Sequence, residues 1–105
     1  MSQPLVVSIP HRLGRQEAKR RLESGIAGIP AEFGPLVMGL NYSWQADSLY
    51  FSAQVMWQKM SGRIEVLDDV VRIEIDLPWL MRLIEPMIAK QARERTILML
   101  EKPVA

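Results

Sequence analysis

The chain has 105 residues, 49% of them hydrophobic and 24% charged, with a net charge of +1 and no cysteine. A chain of this length is expected to form one domain, residues 1–105, around a single core, and the composition is ordinary for a globular protein. Without cysteine there is no disulfide or thiolate chemistry, a cytoplasmic location is the expectation, and a charge near zero exerts no global pull on nucleic acid or membrane.

Met1 to Val7 carries no basic leader, and the apolar run that follows stops at Pro10, so no secretory signal is expected. No stretch approaches the roughly 20 apolar residues that span a bilayer. Leu5-Val6-Val7-Ser8-Ile9 is a β-branched run closed by Pro10 and predicts an edge or first strand. From Arg15 to about Ile29, Ala18, Leu22, Gly25, Ile26 and Ile29 recur at helical spacing, with charged residues on the other side. Gly25 within that stripe predicts close approach to the sheet. Gly28 and Pro30 end the helix, and Ala31 to Pro35 reads as a loop with Phe33 turned inward.

Met38 to Asp76 then reads as four antiparallel strands. Val37–Gln45 places Met38, Leu40, Tyr42 and Trp44 on one face; Leu49–Trp57 places Leu49, Phe51, Ala53, Val55 and Trp57 on one face. Arg63–Leu67 and Val70–Asp76 follow, the latter alternating Val71, Ile73 and Ile75 with Arg72, Glu74 and Asp76. Turns are predicted at Ala46-Asp47-Ser48, at Lys59-Met60-Ser61-Gly62 and at Asp68-Asp69, which makes a meander. Asp76 is placed to cap a closing helix from Leu77 to about Leu100, with Leu80, Ile84, Met87, Ile88, Gln91 and Leu98 as its stripe and a kink at Pro86. Residues 100–105 form a tail. The predicted fold is α+β, in the order β-α-β-β-β-β-α, its antiparallel sheet covered on one face by the N-terminal helix and the long kinked C-terminal helix, a helix-grip-like arrangement.

Candidate chemistry is sparse. His11 is the one histidine and has neither a triad nor a set of metal ligands at a recognisable spacing, so a structural role at the strand-to-helix passage is expected. Arg12, Arg15, Lys19 and Arg20 form a possible anion patch, although Glu17 and Glu23 lie at pairing distance along the helix and no aromatic residue interleaves with them. A solvated helix face is the plainer account. Large apolar residues offer a second candidate: Met38, Trp44, Trp57, Trp79, Met81, Ile84, Met87 and Ile88, as a ligand- or partner-binding surface between the sheet and the closing helix. Core packing is the default for such residues, and the binding surface is the alternative. Asp68-Asp69 lies in a turn and suggests no acid–base pair. No phosphate loop is present, and neither cofactor nor enzyme activity is expected.

Several pieces taken together resemble one family. They are Ile9-Pro10-His11-Arg12-Leu13-Gly14 after the opening strand, Glu17-Ala18, Tyr42-Ser43-Trp44 with Asp47-Ser48-Leu49 and Phe51, Gly62-Arg63-Ile64-Glu65-Val66, and Ile75-Asp76-Leu77-Pro78. The chain resembles the polyhydroxyalkanoic acid system family, also called the polyhydroxyalkanoate granule-region proteins. The resemblance implies a non-enzymatic accessory role in polyester storage and no catalytic residue or cofactor. Its expected partner is the granule surface, a hydrophobic small molecule or another granule protein. Two other roles stay open at this point: a carrier of a lipid or acyl ligand in an apolar pocket, and a homodimeric interaction module without a ligand.

Overall fold

The structure, a computed structural model, describes residues 4–102, so residues 103–105 of the expected tail lie outside the described residues. Its elements are β1 (Leu5–Pro10), α1 (Arg15–Ala27), a short α2 (Ile29–Phe33), a 3-10 turn (Gly34–Leu36), β2 (Val37–Gln45), β3 (Ser48–Val55), β4 (Gln58–Val66), β5 (Val70–Asp76), a 3-10 segment (Trp79–Ile84) and α3 (Glu85–Glu101). The α+β class and the four-strand meander stand as expected. The segment expected to be a loop between α1 and β2 instead turns through α2 and the 3-10 turn, and Phe33 is half-buried there beneath the Arg95 guanidinium, 5.0 Å from its ring centre.

All five strands join one antiparallel sheet in the order β1-β5-β4-β3-β2. The first strand therefore closes on the last, with Leu5 opposite Ile75 and Pro10 opposite Val70. Strand alternation sends Leu5, Val7, Ile9, Leu49, Ile64, Val66, Val71, Ile73 and Ile75 to one face, where they are buried with Ala18, Leu22 and Ile26 of α1 and Leu100 of α3. The opposite face is wet, and carries Tyr50, Arg63, Glu65, Arg72 and Glu74.

Several expectations are corrected by the local structure. The β3–β4 turn is not at Lys59–Gly62 but at Met56-Trp57, because Val55 pairs with Gln58 and leaves only two residues between the strands. Met60, Gly62 and Ile64 continue the inward alternation of β4, so Gly62 is a strand residue facing Phe51 across the pair. In β2 the register shifts between Met38 and Asn41, where Gly39 has φ +61. That bulge adds one residue and turns Met38 to the outer face beside Gln54, while Tyr42 and Trp44 keep the inner face.

The closing helix is divided. Pro86 stands in the first turn of α3, where its missing N–H costs nothing, and the residues before it form the 3-10 segment. Asp76 ends β5 opposite Ser61, and no side chain caps the 3-10 segment. A 3-10 segment turns about 120° per residue against about 100° in an α-helix, so the apolar stripe changes phase across it. Thr96 and Leu100 are buried, Ile88, Ala89, Ala92 and Met99 pack on the core, and Met87 and Leu98 face outward. Gly25 gives close approach to Met99 of α3, not to the sheet.

Candidate functional site

Strand register places Val37, Val55, Gln58 and Asp76 at one end of the sheet. At that end, and along the 3-10 segment and the first turn of α3 that follow β5, the chain displays large apolar side chains that the core does not use. Trp57 is 88% exposed, Trp79 81%, Leu83 81% and Met87 63%. Leu36, Met38, Met56 and Leu80 are also exposed. They arrive from three connections: the 3-10 turn before β2, the β3–β4 hairpin tip, and the 3-10 segment after β5. The hairpin tip is tied to the first of these, since Met56 N–H donates to the Leu36 carbonyl oxygen at 3.2 Å.

Two-residue hairpins of type I′ demand positive φ at both central positions and favour Asn-Gly. Met56 and Trp57 have φ of 52° and 65°. Bulky residues pay a steric cost in that region, and their exposed side chains gain no packing in return.

The residues expected to line a surface between sheet and helix are scattered. Met81 is buried beneath the 3-10 segment, and Ile84 and Ile88 are half-buried against the core. Trp44 is also half-buried, under the Lys19 ammonium at 4.9 Å from its ring centre, and its indole N–H donates to Glu23. Trp57, Trp79, Met38 and Met87 stand outside. Between the helices and the sheet lies the packed core itself. Met56, Leu36, Leu80 and Leu83 are exposed as well and are absent from the sequence-based set. The signal for Met56 lay in β4, where the Met60, Gly62, Ile64, Val66 alternation runs back to Gln58 and strands Met56-Trp57 as a turn.

The basic group sits at the other end of the sheet and is largely engaged. Arg15 reaches Asp47 in the β2–β3 turn at 2.9 Å and Asp68 in the β4–β5 turn at 3.2 Å. The hydrogen bond to Asp47, followed by the charge of Asp68, raises its pKa above the ordinary arginine value. Lys19 donates to the Ala46 carbonyl at 2.7 Å and lies 3.7 Å from Asp47. Arg20 pairs with Glu17 at 3.3 Å, and Arg12 is exposed without an ion pair among the described residues. These contacts clip two hairpin turns to the start of α1. Arg21 also bonds Glu17, at 2.7 Å, which holds that carboxyl below its ordinary pKa, and donates to the Leu100 carbonyl at 2.6 Å.

His11 joins the same end. Its Nδ1 accepts from the Leu13 N–H at 3.2 Å and its Nε2 lies 3.1 Å from the Leu67 carbonyl oxygen. With Nδ1 accepting, the proton belongs on Nε2, which donates to Leu67. The ring thereby fastens the β1–α1 passage to the β4–β5 turn.

On the wet face Arg63 bonds Glu74 at 2.8 Å, and Arg72 bonds Glu74 at 2.9 Å and lies 3.8 Å from Glu65. A hydrogen bond with Tyr50 and the charge of Glu74 raise the Arg63 pKa. Alternating charges across strands are the usual dress of a solvated sheet face. Among the described residues no group of three or more His, Asp or Glu is placed to hold a metal ion, and no helix is long and apolar enough to cross a membrane.

No curated protein and no solved structure matches the chain. A family model, described as "Putative polyhydroxyalkanoic acid system protein", matches residues 5–97, which runs from β1 well into α3 and takes in the whole apolar end. The chain belongs to the polyhydroxyalkanoic acid system protein family.

Proposed function

We propose that this protein is a non-enzymatic accessory of polyhydroxyalkanoate storage that seats its apolar end on the polymer granule. The observation that carries the reading is the exposure of Trp57 at the β3–β4 hairpin tip and of Trp79, Leu83 and Met87 in the segment that follows β5, which leaves the sheet toward the same end as that hairpin. Apolar side chains scattered singly over a surface need no explanation, but a cluster drawn from three separate connections marks a surface that meets something apolar. Transfer of one such side chain out of water is worth roughly 1.5–3 kcal/mol, so three or four acting together suffice for stable seating. The packed core between helices and sheet favours this surface over an internal ligand pocket.

The direct test is sedimentation of the purified protein with isolated polyhydroxyalkanoate granules, beside Leu83→Glu. Leu83 is 81% exposed, so the charge leaves the fold intact, as circular dichroism would verify. Wild-type protein is expected in the granule fraction, and the variant is expected to lose about tenfold or more in partition. A wild type that stays in the supernatant would end this reading.

A further inference from the structure

The granule-surface reading leaves open which element enters the surface and what kind of phase it enters. We propose that the Met56-Trp57 hairpin tip is the anchor, and that the phase it recognises is an uncharged ester–hydrocarbon surface, not an anionic lipid headgroup layer. The proposal rests on the granule reading and deepens it.

The first support is conformational. The tip holds two bulky residues at positive φ, where the turn would relax with Asn and Gly. The two residues are 52% and 88% exposed, so the folded protein regains little of that cost through packing. The tip is nevertheless well held: Val55 pairs with Gln58 below it, and the Met56 N–H bonds Leu36 beside it. A strained but rigid presentation of an exposed tryptophan fits a role outside the fold. Rigidity also lowers the ordering cost when the indole is buried in a second phase.

The second support is charge. Segments 33–38, 55–59 and 76–87 carry these exposed apolar residues, and their ionisable residues are Lys59, Asp76, Arg82 and Glu85, two of each sign. Arg82 and Glu85 pair with each other at 3.5 Å. Proteins that settle on anionic lipid place lysines and arginines around the inserted apolar group. Here Arg15 and Lys19 are bound to the turns at the opposite end of the sheet. Within these described segments the charges balance, and a polyester surface asks for nothing else.

The experiment compares wild type, Met56→Asn/Trp57→Gly and Trp57→Gln on amorphous poly(3-hydroxybutyrate) particles and on phosphatidylcholine and phosphatidylglycerol vesicles. Wild type is expected to bind the particles equally from about 50 to about 500 mM NaCl, and to show no preference for phosphatidylglycerol over phosphatidylcholine. Both variants are expected to lose roughly tenfold or more on the particles. The double variant should at the same time melt roughly 4 °C or more above wild type, because the turn is relieved. Trp57→Gln keeps the backbone of the tip and guards against an unforeseen rearrangement in the double variant.

If wild type ignores the particles, the granule reading falls and the anchor falls with it. If wild type binds and both variants bind equally well, the anchor assignment alone is overturned. A phosphatidylglycerol preference that fades with salt overturns the uncharged phase. A wild type that is dimeric by light scattering, with a monomeric double variant, makes the tip a subunit contact and overturns the proposal.

Discussion

Gly62 has no room for a side chain. A Cβ there would collide with the Glu74 carbonyl oxygen of β5 and stand 2.7 Å from Phe51 Cζ. Phe51 lies directly across the strand pair and covers the glycine, so the aromatic ring supplies the packing that the missing side chain does not. Gly62→Ala is expected to destabilise by about 1–3 kcal/mol, as an overpacked site does, and a urea denaturation midpoint would measure it. A midpoint within error of wild type would mean the β4–β5 spacing adapts freely. Glu17 offers a titration test. The Arg21 hydrogen bond lowers its folded pKa below the ordinary value of 4.5, so its contribution is fully present above that value. The contribution then disappears as pH falls through the folded value. Wild type is therefore expected to lose stability more steeply than Glu17→Gln below about pH 4.5, and parallel pH profiles would contradict this assignment.

Helix crossing at Gly25 belongs to the scale of elements. A Cβ on Gly25 would overlap Met99 Cγ of α3, yet the obstacle is a flexible thioether side chain and not backbone. Gly25→Ala gains about 1 kcal/mol of helix propensity and spends much of it moving Met99, so a small net change is expected. Gly25→Leu should cost about 2 kcal/mol, and Met99→Ala in the same chain should restore most of it. A double-mutant cycle showing no coupling would place the α1–α3 contact elsewhere. Elements were also where the sequence was most and least legible. The period-2 runs of β1 and β5 and the 3.6 period of α1 define those elements to within a few residues, whereas the alternation of β2 located the strand but hid the bulge at Gly39 that turns Met38 outward. At the β3–β4 turn the usual glycine or asparagine is missing, so reading the alternation straight through Met56 to Trp57 displaced the turn to the next glycine, Gly62. Pro86 gave correct notice of a break, but a 3-10 segment rotates the stripe without leaving a mark in composition.

At the scale of the whole molecule, the two ends of the sheet are unlike. One end is sewn together by Arg15, Lys19 and His11, which bind the turns to the start of α1. The other end is apolar and contributes little to its own packing. Most of the residues that form it were visible in the sequence as large hydrophobics, among them Trp57, Trp79 and Met87. Their gathering on one end was not, because it depends on strand register and on three connections far apart in the chain.

The pairing of β1 with β5 has a consequence for how the chain is made. β1 leaves a ribosome before the other four strands, yet its partner strand, with Ile75 opposite Leu5, follows about 70 residues later, several seconds at ordinary synthesis rates. Throughout that interval Leu5, Val7 and Ile9 have no sheet to join, while β2, β3 and β4 can already pair as successive hairpins. The nascent chain therefore carries an unpartnered, uncharged strand until β5 emerges, and closure of the sheet is a late, long-range step. Pro10 at one end of β1, together with Pro4 just before the other, shields that waiting strand against pairing with its neighbours on a polysome.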